Sequence, residues 1–135
     1  MVAYQFVNSY CYYNSKDEDE VTEFSDLIRK NREKRSLSMR ALERLLRERN
    51  NGPSISRSLI SYLETGDRVP TYDVAYEIAE ALEMDPIDAI EAAYISRVKH
   101  GQEKEEKYLK DFRDKAGLEW DPDDIIRRAR RKLKL

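Results

Sequence analysis

A chain of 135 residues has the size of one compact domain with extensions, and with 40% hydrophobic and 39% charged residues its core must be small. The lone cysteine, Cys11, excludes a disulfide framework within one chain. The net charge of −2 conceals a segregation: residues 1–26 carry net −5, 27–68 net +6, 69–100 net −5 and 101–135 net +2, so the base-rich block has the footprint of a polyanion-binding face.

No apolar run approaches membrane-spanning length, and the N-terminus lacks the basic-then-apolar pattern of a secretion signal. A cytoplasmic protein with no membrane partner is expected. His100 is the only histidine and lies far from Cys11 in sequence, so neither a metal site nor a histidine-based triad is supported. No phosphate-cradling loop is present. The expectation is a protein that is not an enzyme and carries no metal or cofactor.

Residues 1–15 crowd Val2, Tyr4, Phe6, Tyr10, Tyr12 and Tyr13 into a short span rich in strand formers. They read either as an arm that packs on its own or a partner subunit, or as a loose terminus. Residues 16–20 are an acidic linker. The first helix is expected from about Thr22 to Arg35, capped by Thr22 or, as the weaker candidate, Ser25, with Phe24, Leu27 and Ile28 inward. The second starts at the N-cap Ser38 and runs to about Arg49. Leu42, Leu45 and Leu46, helped by Met39, form its buried stripe, while Arg40, Arg44, Arg47 and Arg49 face water. Residues 50–54 compose a turn.

The third helix has Ser56 as its cap and Gly66 as its left-handed end. Leu59, Ile60 and Leu63 share one face; Arg57, Ser58, Ser61 and Tyr62 share the other, a donor-rich surface suited to an anion. Two short helices joined by a turn, the second with a polar exposed face, make a helix-turn-helix.

Thr71 is the expected cap of a fourth helix over about Tyr72–Leu82. Asp85 and Pro86 open a fifth, with Ile87, Ile90, Tyr94 and Val98 on one side. Residues 102–115 are helical in pattern with a sparse stripe of Tyr108, Leu109 and Phe112. Asp121 and Pro122 start a last helix, in which Ile125, Ile126, Ala129 and Leu133 face one way and six bases cover the rest. It is either a DNA-contacting or dimer-stabilising arm, or a solvated helix packed through its apolar side. The chain divides into an arm and linker at 1–21, a helix-turn-helix domain at 22–98 and a helical extension at 99–135.

Residues 28–90 resemble the helix-turn-helix repressors of the phage Cro and lambda-repressor type, the XRE family. The likeness rests on Ile28–Arg32, on Leu37–Leu42, and on the string from Ile55 to Gly66 with Pro70 and Thr71. Ile78–Leu82 followed by Ile87–Ile90 completes it. It implies an all-α fold: a five-helix lambda-repressor-like domain, here with a tyrosine-rich arm and a C-terminal helical extension. It further implies a transcription regulator, by analogy a repressor, acting as a homodimer on double-stranded DNA with the helix at 56–64 in the major groove. The sequence departs from the family at Met39, where a glutamine is usual, at Asn31, which replaces an apolar residue, and at Glu43, which replaces a small one. The stretch from Leu42 to Ile60 is longer than the family's, so the turn at 50–54 is expected to bulge.

On this reading Arg57, Ser58, Ser61 and Tyr62 are the candidates for reading bases. Ser38, Arg40, Arg44, Thr65 and Arg68 are the candidates for the DNA backbone. Arg57 either meets guanine O6 and N7 or touches a phosphate. Tyr62 either reaches DNA or packs on the second helix. Arg32 and Glu64 match a family ion pair that bridges the first and third helices. The other class of function is a protein-interaction module, antitoxin-like or an adaptor, in which the helix-turn-helix is a scaffold.

Overall fold

Local signals set most of the helix starts. The computed structural model describes residues 21–50, 52–101 and 104–134, and these form seven helices without a strand. They are α1 (Phe24–Lys34), α2 (Met39–Arg49), α3 (Arg57–Thr65), α4 (Tyr72–Ala81), α5 (Pro86–Lys99), α6 (Glu105–Ala116) and α7 (Pro122–Leu133). The tyrosine-rich arm and most of the acidic linker lie outside the described residues. Ser38 Oγ accepts from the Ala41 N–H and Ser56 Oγ from the Leu59 N–H; Asp85 and Asp121 cap α5 and α7 with proline at the first helical position.

Two expected caps differ. Thr71 directs its hydroxyl to Asp73, whose carboxylate takes the Val74 N–H, so the acid in the first turn does the capping. Thr22 does not cap α1. The helix begins at Phe24, and the Phe24 N–H donates to Ser96 Oγ of α5 at 3.0 Å. That cap comes from a residue far along the chain, so nothing near Thr22 could announce it.

The centre of the molecule is α5. α1, α4, α6 and α7 all pack against it. Its positions 89–96 are buried without a break, and Ile95, Ala92 and Ala93 are as deep as Ile90 and Tyr94. The expected stripe of Ile87, Ile90, Tyr94 and Val98 is therefore too narrow: Ile87 and Val98 are half-buried rim residues. A helix surrounded by others loses the one-sided pattern that periodicity detects.

The apolar stripes of the C-terminal helices are buried within the chain. Leu109, Ile125, Ile126 and Ala129 join the same core as Ile78, Leu82 and Ile90, and Phe112, Trp120 and Leu133 pack at its edge. Of the sparse stripe of Tyr108, Leu109 and Phe112, Tyr108 stays exposed. Arg128 and Lys132 of α7 turn inward to Glu91 of α5, so that helix does not present all its bases to solvent.

Buried acids tie helix to helix. Glu64 of α3 pairs with Arg32 of α1, Glu77 of α4 with Arg49 of α2, and Glu105 of α6 with Arg97 of α5. Arg49, expected to face water, is thus a clasp between α2 and α4. An acid removed from water needs a charge-assisted partner, and here each partner sits on a different helix.

Candidate nucleic-acid interface

On α2, positions 40, 43, 44 and 47 fall three and four apart, which gathers Arg40, Glu43, Arg44 and Arg47 on one helix face. Leu42 and Leu46 are buried on the other side. α3 crosses α2 with Ile60 and Leu63 in the core, leaving Arg57 and Ser58 at its N-terminal end in solvent. The two faces meet in an open cleft of about 360 Å³ lined by Arg40, Glu43, Arg44, Arg47, Ser56, Arg57 and Ser58. Four guanidinium groups stand there against one carboxylate. Among the described residues Arg40, Arg44 and Arg57 have no ion-pair partner, so their donors are free for an external anion.

The one acid in the cleft is placed with care. Glu43 Oε2 accepts the Arg57 backbone N–H at 2.6 Å, and Glu43 Oε1 lies 3.6 Å from Arg47 Nη2. The first turn of α3 leaves N–H groups without partners inside the helix. Ser56 Oγ takes one and Glu43 another. α2 ends at Arg49, Asn50 turns back in the left-handed region (φ 50°), and the exposed Gly52 and Ser54 lead to Ile55, which is buried. Asn51 lies outside the described residues. Glu43 and Arg47 were missed as site residues; the spacing of 40, 43, 44 and 47 was the signal that joins them.

A second cluster forms at the C-terminal end of α3. Tyr62 is 45% exposed, and the Arg68 guanidinium sits 5.1 Å from its ring centroid. Thr65 Oγ1 lies 3.1 Å from Tyr62 O and 3.0 Å from Asp67 Oδ2, so its single proton is engaged inside the turn. Gly66 closes the helix at φ 84°, a conformation that disfavours any side chain. Ser61 is half-buried, and Ser38 uses its oxygen as a cap. The nominated residues therefore fall into two groups: Arg40, Arg44, Arg57 and Ser58 share the cleft, and Tyr62, Thr65 and Arg68 share the far turn.

Behind α3 the carboxylate of Glu64, 3% exposed, receives Arg32 Nε at 2.6 Å and Nη2 at 2.9 Å in a two-pronged pair. Arg32 Nη1 also donates to Leu37 O at 2.7 Å, just before the Ser38 cap of α2. The Glu64 hydrogen bond raises the Arg32 pKa against the opposing effect of burial. One guanidinium thus holds α1, α3 and the approach to α2. Asn31, in place of an apolar residue, turns its amide to Leu27 O at 2.8 Å and so satisfies itself within α1.

Residues 23–92 match the model of a family described as a helix-turn-helix domain. The chain belongs to that helix-turn-helix domain family. The match runs from the start of α1 into the middle of α5 and contains the whole cleft; α6 and α7 lie beyond it. No curated protein and no solved structure matches the chain. No helix among the described residues is long and apolar enough to cross a membrane, and none of their His, Cys, Asp and Glu side chains cluster so as to hold a metal ion.

Proposed function

We propose that this helix-turn-helix protein is a sequence-specific DNA-binding transcription regulator, a cytoplasmic repressor that sits on its site as a homodimer with α3 in the major groove. The observation that carries the reading is the cleft where α2 meets the start of α3, with three unpaired arginines at its mouth. Arg57 and Ser58 then read base edges, with Ser61 and Tyr62 beside them. Arg40 and Arg44 hold phosphates, joined by Arg68; Ser38 and Thr65 contribute less, since their hydroxyls are already engaged. Arg32 and Glu64 act at one remove, by fixing the angle of α3. Helices α1–α5 act as a lambda-repressor-like five-helix unit over residues 22–98, and the helices of 99–135 brace it from behind α5.

The test is selection of bound duplexes from a random pool, followed by titration of the selected site at several salt concentrations. About five phosphates engaged per subunit give a log–log slope of roughly −9 for a dimer. A flat salt dependence, or no duplex binding in low salt, removes the DNA reading and leaves the scaffold of a protein-interaction module.

A further inference from the structure

Glu43 has a location that the need for a helix cap does not exhaust. Ser56 already caps α3 from within the chain, as Ser38 caps α2. Glu43 adds a full negative charge at the head of the exposed helix, inside a ring of arginines. We infer, on the DNA reading above, that Glu43 is a specificity-determining residue: its carboxylate takes the amino group of the cytosine whose paired guanine is taken by Arg57.

Three observations lead there. First, Glu43 Oε2 is fixed to the Arg57 N–H at 2.6 Å, so the carboxylate and the Arg57 side chain leave neighbouring points of the same cleft. Second, Oε1 is held only by Arg47 Nη2 at 3.6 Å, longer than a hydrogen bond, and the side chain keeps about a quarter of its surface in solvent. That oxygen still has lone pairs to offer. Third, the charge stands where the N-terminus of a helix would otherwise collect a phosphate. A carboxylate there repels the backbone and admits a donor.

The identity of the donor follows from the base edges. Cytosine presents its N4 amino group to the major groove as a donor, whereas adenine sets the acceptor N7 beside its amino group. A carboxylate accepts only, so N7 opposes it. Guanine presents two acceptors, which suit the adjacent guanidinium. A carboxylate and an arginine side by side therefore complement one G·C pair in one orientation.

The test uses the full chain and the variants Glu43→Gln and Arg57→Ala, with far-UV circular dichroism and thermal midpoint as the check of folding. Glutamine keeps an oxygen for the Arg57 N–H and removes the charge. Affinities are measured for the selected site, for its single-base variants and for an unrelated duplex. Glu43→Gln is expected to weaken the selected site about tenfold, to abolish preference at one base pair per half-site, and to tighten binding to the unrelated duplex. Arg57→Ala should relax the same base pair. A purely structural cap cannot give opposite signs on the two kinds of duplex. An equal loss on every sequence, unchanged discrimination, or relaxation at a different base pair from Arg57→Ala overturns the inference while the DNA reading stands. A wild-type chain that binds no duplex overturns both.

Discussion

Lys132 Nζ lies 2.5 Å from Glu91 Oε1, and Arg128 Nη2 lies 2.9 Å from the other oxygen of the same carboxylate. Glu91 is 4% exposed, on the central helix, and its two cations come from successive turns of α7. One buried charge thus ties a base-rich helix to the centre of the fold. Glu91→Gln keeps the shape and removes the charge, leaving Lys132 largely buried with no anion at this position. Loss of one partner from such an arrangement is expected to destabilise by about 3 kcal/mol, read as a fall in the urea midpoint at unchanged slope. A change below about 0.5 kcal/mol would show that Ile125, Ile126 and Ala129 seat α7 unaided.

The Arg32–Glu64 pair makes a different prediction, because it holds α3 to α1 rather than α7 to α5. Arg32→Ala and Glu64→Ala should each destabilise, and the double variant should lose less than their sum by about 1–3 kcal/mol. Urea unfolding of the three variants completes the cycle. Strict additivity would mean that the two-pronged contact contributes nothing to stability.

Arg57 and Arg44 line the same cleft but leave it from different helices. Arg57→Ala should cost roughly 1–3 kcal/mol on the preferred site and relax choice at one base pair. Arg44→Ala should weaken all duplexes alike and lower the salt slope by about one per subunit. Equilibrium titration of the site and its variants at two salt concentrations separates them. A uniform loss for both would make Arg57 a phosphate contact.

What the sequence made legible was what neighbours decide. Ser38, Ser56, Asp85 with Pro86, and Asp121 with Pro122 announce their helices because a cap bonds a donor only two or three residues away. The faces of α2 and α3 were legible for the same reason, and with them the location of Arg40, Arg44 and Arg57. Pairings across the fold were not. Arg49 looked like one more solvent-facing base until Glu77 was beside it, and nothing in the composition of α7 distinguishes Lys132 from Arg127, which stays in water. Glu43 stood out as a departure from the resembling family, but its hydrogen bond to Arg57 joins two helices 14 positions apart and no local pattern announces it. The centrality of α5 was hidden because a helix buried all round carries no stripe.

Tyr72 supplies a prediction in pH. Its hydroxyl donates to Glu105 Oε2 at 2.7 Å, Arg97 Nε donates to the same oxygen, and burial, followed by the Glu105 contact, raises the Tyr72 pKa far above that of free tyrosine. The folded protein therefore keeps this proton at pH values where the unfolded chain releases it. The contribution is fully present below about pH 10 and falls as pH rises further, by at most about 1.4 kcal/mol per unit. Tyr72→Phe should cost about 1.5–3 kcal/mol at neutral pH, the worth of a hydrogen bond to a charged group. Its stability should also decline less steeply than wild type above pH 10. Parallel curves from urea titrations between pH 9 and 11 (on the order of the tyrosine range) would refute the assignment to Tyr72.

The bond from the Phe24 N–H to Ser96 Oγ spans 72 positions of the chain. On a ribosome adding roughly 5–20 residues per second, the first described helix waits on the order of several seconds for the residue that completes its N-terminus. α1 has 11 residues, too few to hold a helix alone in water. α2 and α3 carry their own serine caps and a contact from Glu43, all within a short reach, although Arg49 of α2 still awaits Glu77 of α4. The caps of α2 and α3 are thus complete early, and the helix that emerges before them is capped after them. A nascent chain arrested with α5 still inside the ribosome should leave the Phe24 amide open to hydrogen exchange, and release of α5 should close it.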